Sequence, residues 1–458
     1  MRGRLHAEQV SKDTRMTFPL SIPLLVSKAR AELPSDCDVV VIGGGIVGVT
    51  TAMFLAEKGL RVTLCEKGVV AGEQSSRNWG WVRQMGRDPA EMPLTMRSLA
   101  IWRGMDARIG AETGFRQTGI VYAGYKPRDM ASWDGWLAAA RNNDLECLLL
   151  TGPEAQAMVP GAGRPLKAVL HTPTDGRAEP FVAVPRMADH ARRRGVTILE
   201  NCAVRTVEFS AGRVSGVVTE HGPIATGAVV VAGGVWSRLF LGNLGIDFPQ
   251  LKIVASVVQV DGVDQGSEMP TGAGDWAYRK RLDGGYTVAL RNANAAPILP
   301  DNFRLLFEYL PTLASSWREL KLRFNREFFV ELAQKRRWSG DEPTAFEASR
   351  TLDPAPYVGF NRTALKNLAR DVPIFATARP VRHWAGVMDA TPDAVPVIDR
   401  VGTKPGLFVA SGFSGHGFGV GPGAGEMMAD MVAGDTPKVD PRPFALSRLR
   451  PQYEGDRP

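Results

Sequence analysis

The run Gly43-Gly44-Gly45-Ile46-Val47-Gly48 constrains this chain more than any other feature, because it sits between two segments of different period. Before it, Asp38-Val39-Val40-Val41-Ile42 is almost uninterruptedly apolar, as a strand buried on both faces requires. After it, Val49, Met53 and Ala56 fall on one helical face, Gly59 ends the helix, and Arg61 to Glu66 resumes as a strand. In such a βαβ unit Gly43 permits the tight turn and Gly45 lets backbone approach a pyrophosphate, while Gly48 lets helix and strand close together. Ile46 and Val47 open the helix, whose free N–H groups and partial positive charge suit phosphates. Glu66 ends the second strand 18 residues after Gly48, where an acid hydrogen-bonds a ribose hydroxyl. A plain glycine turn would not require that acid. The unit therefore predicts a bound dinucleotide.

A chain of 458 residues exceeds one ordinary core and predicts two or three domains. Its 44% hydrophobic and 22% charged residues are those of a soluble globular protein. No apolar run approaches the roughly 20 residues that span a bilayer. The net charge of +7 is spread along the chain and selects no partner by itself. Cys37, Cys65, Cys147 and Cys202 contain no CxxC pair, so neither a metal site nor a dithiol centre is expected. They read as reduced thiols of a cytoplasmic protein. Arg2, Arg4, Lys12 and Arg15 precede an apolar stretch from Met16 to Val26, and Ala29-Arg30-Ala31 has the outline of a cleavage site. Pro19 and Pro23 interrupt that signal-like pattern, and Met16 is an alternative start.

Further along, Ala228-Val229-Val230-Val231-Ala232-Gly233-Gly234 is a second buried strand running into a glycine turn. The runs 195–199 and 214–219 predict a small sheet. Alternating strands at 254–260 and 286–290 predict an antiparallel sheet, hence a second domain of different architecture. Between 301 and 338, Leu305, Leu306, Leu310, Leu313, Trp317 and Leu320 recur at helical spacing, accompanied by Arg318, Lys321, Arg323 and Arg326. This reads as an amphipathic helical part of the second domain, with a basic lid or a peripheral membrane contact as the alternative. No basic cluster with interleaved aromatics points to nucleic acid.

Two further segments bear on which dinucleotide is bound. Glu73-Gln74-Ser75-Ser76-Arg77-Asn78 is a dense polar loop soon after the acid. The segment 415–425 has glycine at every second position before a helical run expected from Glu426. A loop so free of side chains lets N–H groups approach a flat ligand, which NAD would not require at that distance from the first site.

With these pieces in this order, the chain resembles the D-amino-acid oxidase (DAO) family of FAD-dependent oxidoreductases, which includes glycine, sarcosine and dimethylglycine oxidising enzymes and D-amino-acid dehydrogenases. The resemblance rests on 38–66, Ser75-Ser76, Val231 to Ser237, Trp384-Ala385-Gly386, Thr391-Pro392-Asp393 with Pro396, and 412–425, so it covers nearly the whole chain. It implies an α/β fold with a discontinuous Rossmann-type FAD-binding domain at 37–100, 151–245 and 376–435. An α+β substrate domain with a mainly antiparallel sheet would take 101–150 and 246–375, flanked by an extension at 1–36 and a tail at 436–458. The cofactor-binding positions would be Gly43, Gly45, Ile46, Val47, Gly48, Glu66, Lys67, Ser75, Ser76, Val204, Ala232, Gly233, Trp236, Gly386, Gly415, His416, Gly417, Phe418 and Gly419. It implies hydride transfer from the amine-bearing carbon of a small amine or amino acid to flavin N5, giving an imine that hydrolyses.

The chain also departs from the family pattern. No cysteine follows Cys202 and no histidine lies between 66 and 90, so the FAD is expected to be non-covalent. Where several amino-acid oxidising relatives place a carboxylate-gripping arginine after the Trp-x-Gly element, this chain has Gly386-Val387-Met388-Asp389, and at that place it looks closer to sarcosine- or dimethylglycine-type members. Arg83, after Trp79-Gly80-Trp81-Val82, is the candidate to grip a carboxylate instead, against the alternative that it pairs with a structural acid. His416 could hydrogen-bond flavin or substrate amine, or be structural. Oxygen and a quinone or carrier protein remain open as electron acceptor. A non-catalytic FAD-binding scaffold and one subunit of a larger amine or opine enzyme are the competing readings.

Overall fold

The computed structural model describes residues 21–25, 31–131, 133–264, 266–291, 293–316 and 319–454. The basic N-terminal cluster, most of the signal-like stretch, Trp317 and Arg318 lie outside these residues.

Val39–Ile42 lies inside a six-stranded sheet ordered 397–400, 407–411, 228–231, 39–42, 62–65, 197–199. Neighbouring strands run parallel except Val397–Arg400, which is antiparallel to Leu407–Ser411. Alternation along the valine runs decides what each face meets. Val39, Val41 and Val230 face helices Ile46–Glu57, Pro180–Arg193 and Gly417–Ala433 in one core. Val40, Val229 and Val231 face a three-stranded antiparallel sheet, 204–210, 213–219 and 222–225, through Val207, Val214, Val217 and Ile224. Burial on both faces is why these strands carry no polar alternation.

A ten-stranded sheet forms the second layer system, built around Leu251–Asp261. That strand pairs antiparallel with Tyr286–Ala289 and with Arg379–Ala390. Only two ladders of the sheet are parallel, 271–272 with 120–124 and 294–297 with 320–323, so it is mainly antiparallel as expected. Ala168–Thr172, in the stretch expected to belong to the FAD-binding domain, pairs with Ile120–Gly124 over five residues and sits in this second sheet. Continuous pairing with a strand of the second sheet, rather than position in the chain, decides where it belongs.

Two sequence expectations change. The helix expected from Glu426 begins at Gly417 and runs to Ala433. Its glycines serve helix packing: a Cβ on Gly421 would lie 2.8 Å from Ile46, on Gly423 2.9 Å from Ser98, and on Gly425 2.2 Å from Thr50. The stretch 301–338 is not one helical unit either. Helices Pro300–Arg304 and Leu306–Ser316 give way to strand Leu320–Arg323 and helix Glu327–Ala333. The local sequence Leu-Lys-Leu-Arg alternates with period two and finds a free edge at Asn294–Pro297.

Candidate active site

Two turns at the C-terminal edge of the six-stranded sheet open a cleft of about 1230 Å³. Gly43 stands at φ +110°, and a Cβ there would lie 2.4 Å from the Ala232 carbonyl oxygen; one on Gly48 would lie 2.0 Å from that of Gly43. Only glycine allows these approaches, which set the helix N-terminus at Ile46 against the cleft. Glu66 accepts hydrogen bonds from the Gly44 and Gly68 N–H groups, each at 2.7 Å. Burial pushes its carboxyl up to about 7. The Ser75 hydroxyl accepts from Ile46 N–H at 2.9 Å, and Gln74 Oε1 is a buried acceptor without a partner.

Of the residues expected from sequence, Gly43, Gly45, Ile46, Val47, Glu66, Lys67 and Ser75 line this one cleft. Val204, Ala232, Gly233, Trp236, Gly415, Gly417 and Phe418 complete it from the other segments. An acid and small strand residues lie at one end, a glycine-bounded helix start in the middle and a largely apolar slot at the other. This donor set fits FAD. Lys67 ion-pairs with Glu73 at 2.7 Å, and its ammonium lies 4.6 Å from the Trp236 ring centre, which closes one wall.

Six expected residues, Arg83 among them, stand outside the lining. Gly48 packs on Gly43, and Ser76 donates to the Ala71 carbonyl at 2.6 Å. A Cβ on Gly386 would strike Gln74 Oε1 at 2.1 Å, so that glycine makes room for the 74–77 helix. Gly419 lies against the backbone of Trp81 to Arg83. His416 turns away toward Glu91, with 3.2 Å between Nδ1 and Oε2. Burial and the charge of Arg87 push His416 down to about 4, so the ring is neutral at ordinary pH. Burial alone would raise Glu91, but its bond from His416 and the nearby cations hold it below its usual range. Asp389, noted where an arginine was looked for, lines the cleft and accepts from Gly412 N–H at 2.7 Å. It organises the 411–414 turn.

Arg83 donates to the Met85 carbonyl and to the Tyr122 hydroxyl. It has no carboxylate partner among the described residues, so pairing with a structural acid does not explain it. Sequence reasoning missed its companions. Arg291 places its guanidinium 3.9 Å from the Tyr122 ring centre, and buried Arg87 leaves Nη1 without a hydrogen-bond partner. Arg87 is pushed down to about 9 by burial and by the charge of Arg83. Burial would raise the Tyr122 phenol, but Arg83, Arg291 and Arg87 bring it below its ordinary value. Trp81 stands beside Tyr122, 6.2 Å between ring centres, and Trp79 meets it edge-on at 5.8 Å. No local pattern marks Arg291, which lies two residues beyond the Tyr286–Ala289 strand of the second sheet.

Fold and cleft together define a dinucleotide-dependent oxidoreductase, and residues 38–431 match the family model for FAD dependent oxidoreductases, DAO. The chain belongs to that family. Among solved structures it is similar to the L-amino acid deaminase from Proteus myxofaciens, with a TM-score of 0.90 and 33% identity, covering 93% of this chain and 97% of that one. It is 26% identical to the glycine oxidase of Pseudomonas aeruginosa, over 89% of this chain and 98% of the relative. It is 24% identical to mouse mitochondrial sarcosine dehydrogenase over 91% of this chain, but spans only 42% of that longer protein.

Proposed function

We propose that this protein oxidises the C–N bond of an α-amino acid, giving an imine that water hydrolyses to a 2-oxo acid and an amine or ammonium. The observation that carries the reading is the group of carboxylate-free guanidiniums, Arg83 and Arg291, on Tyr122; it lies outside the cleft lining, and the backbone of Arg83 packs on Gly419 in the first turn of the helix whose start lines the cleft. A scaffold that only held FAD would have no use for such a group. FAD, when bound, supplies a two-electron acceptor for the hydride leaving the amine-bearing carbon. The chain itself grips the substrate carboxylate with a guanidinium of this group, while Trp79 and Trp81 exclude water from one side. His416, neutral and held by Glu91, steadies the turn that opens the Gly417–Ala433 helix. The similarity to L-amino acid deaminases supports a primary amino acid over a secondary amine.

The lining residues include no histidine and one cysteine, Cys65, next to Glu66, which supports non-covalent FAD. The discontinuous division into 37–100, 151–245 and 376–435 against 101–150 and 246–375 is retained with 168–172 and 379–390 moved to the second unit, since both pair along their length with strands of the second sheet. All four cysteines are free thiols, which favours a cytoplasmic, reducing setting. Among the described residues no helix is long and apolar enough to cross a membrane. Phe303, Phe307, Phe324 and Phe329 are each more than half exposed, and Lys321, Arg323 and Arg326 accompany them. A basic aromatic surface supports peripheral contact with an anionic bilayer and a membrane quinone as acceptor, with oxygen as the alternative.

Anaerobic titration of the holoenzyme against amino acids and N-methyl amines tests the reading. Bleaching of the flavin by one class supports it, and admission of air or a soluble quinone then identifies the acceptor. Full turnover by the isolated chain would show that no partner subunit is needed. A flavin that none of these compounds reduces would sink the assignment.

A further inference from the structure

We infer that the substrate carries two negative charges, one met by Arg291 and the other by Arg83 and Arg87, so that it is a dicarboxylic amino acid. The inference deepens the function proposed above and rests on it. Its basis is a charge imbalance. Among the described residues no carboxylate oxygen lies within 4.0 Å of any of the three guanidiniums. Elsewhere the same chain pairs its buried arginines: Arg77 with Asp353, Arg177 with Glu268, Arg279 with Glu179 and Arg281 with Asp283.

Four acids face the cluster, Asp175, Glu91, Asp129 and Glu319, and none ion-pairs with its guanidiniums; Asp129 accepts from Tyr125 N–H at 3.1 Å and Lys126 N–H at 2.9 Å, and exposed Glu319 reaches Arg291 only at longer range. Asp175 accepts from Gln84 N–H at 2.8 Å, Met85 N–H at 3.1 Å and Gln84 Nε2 at 3.2 Å. Glu91 is turned to His416. Arg87 is buried and Arg83 and Arg291 are half-buried, the latter donating to the Ala273 carbonyl at 3.2 Å; three cations together repel one another, so the arrangement persists most economically if a ligand supplies the missing charge. One α-carboxylate would answer one guanidinium.

The cations also sit at two distinct places on one side chain. Arg291 lies over the Tyr122 ring, whereas Arg83 is bonded to its hydroxyl, with Arg87 close enough to be pushed down by the charge of Arg83. A single carboxylate cannot engage both positions in bidentate fashion. Gly86, exposed and at φ +68°, borders Arg83 and the Tyr122 hydroxyl without a side chain, leaving that end of the cluster open. The second acid can come from the amino-acid side chain or from a substituent on nitrogen; the chemistry at the guanidiniums is the same.

Matched pairs presented to the holoenzyme at fixed ionic strength test this and separate the two sources. Anaerobic flavin reduction is followed with both enantiomers of glutamate against glutamine and of aspartate against asparagine, and with iminodiacetate against sarcosine. The acidic member of at least one pair is expected to show a reduction rate per unit concentration at least tenfold higher, and Arg87→Met or Arg83→Met to bring that ratio toward one. Neutral members that reduce the flavin as well as the acidic ones would overturn the inference and leave amino-acid oxidation standing. A flavin reduced by nothing would overturn both. Wild-type holoenzyme gives a second reading that needs neither turnover nor a variant: glutarate should perturb the flavin spectrum at a concentration at least tenfold below butyrate. Equal binding of the two would also overturn the inference.

Discussion

Arg291 holds its guanidinium carbon 3.9 Å from the ring centre of Tyr122, and Arg83 donates to the hydroxyl of the same tyrosine. One phenol thus orients two cations that come from different segments, Arg83 from the loop after Trp81-Val82 and Arg291 from two residues beyond the 286–289 strand. Tyr122 is a spacer as much as a wall.

Removing that spacer's hydroxyl should loosen Arg83 and leave Arg291 in place. Tyr122→Phe is expected to raise the Kd for substrate about tenfold, the loss of one hydrogen bond to a charged group. Arg291→Ala should raise it about a hundredfold, and Arg291→Lys should recover only part because ammonium lacks the fork geometry. Rapid-mixing measurements of flavin reduction separate binding from the chemical step; a loss confined to the limiting rate would contradict this assignment.

The pH dependence of stability has two opposed contributions in the flavin-free protein. Folded Glu66 holds its proton to about 7 against an ordinary 4.5, so it binds protons more tightly folded than unfolded, and stability falls as pH rises between those values. The cost at neutral pH is about 3 kcal/mol. His416 works the other way: with a folded value near 4 against 6.5, stability is lost as pH falls from 6.5 toward 4. Glu66→Gln should therefore flatten the decline between pH 6.5 and 7.5, and His416→Gln should relieve part of the acid-side loss. Melting temperatures of the apoproteins from pH 4.5 to 8 check both; parallel curves for wild type and Glu66→Gln would refute the first.

The glycines of the Gly417–Ala433 helix make a separate prediction. Gly425→Ala would set a Cβ 2.2 Å from Thr50 Oγ1 and 2.8 Å from Thr51 N, forcing the Ile46–Glu57 helix away. A loss of about 2 kcal/mol is expected, with weaker retention of FAD because that helix begins at the cleft. Gly104, exposed inside Met92–Ile109 with nothing within 4 Å of a Cβ, is the control: Gly104→Ala should stabilise by about 0.5–1 kcal/mol. Denaturant unfolding of the two variants decides.

On the outer surface, Phe307 is 84% exposed and Phe329 57%. The double variant Phe307→Glu, Phe329→Glu should lose co-sedimentation with vesicles containing anionic lipid while its flavin spectrum and melting temperature stay unchanged. Wild-type protein that fails to sediment with such vesicles would remove the membrane reading.

What the amino-acid sequence determined by itself was the part of the molecule where cause and effect are close in the chain. Val39 to Glu66 specifies strand, turn, helix, strand and terminal acid, because burial on both faces, a positive-φ glycine and a helix cap are local demands with recognisable residues. The family resemblance extended that to the second glycine segment, but alternate glycines in 415–425 looked like one ligand loop when Gly421, Gly423 and Gly425 serve helix contacts with Ile46, Ser98 and Thr50. A missing Cβ leaves the same mark in a sequence whether a ligand or a helix comes near. The guanidinium cluster was half visible: Arg83 could be singled out beside two tryptophans, but Arg87 and Arg291 could not. A charged residue does not carry in its neighbours whether an acid will meet it; only the packing of the Ile120–Gly124 and Tyr286–Ala289 strands against the 80–91 loop decided that Arg83 and Arg291 would meet one tyrosine, with Arg87 close by, and no carboxylate.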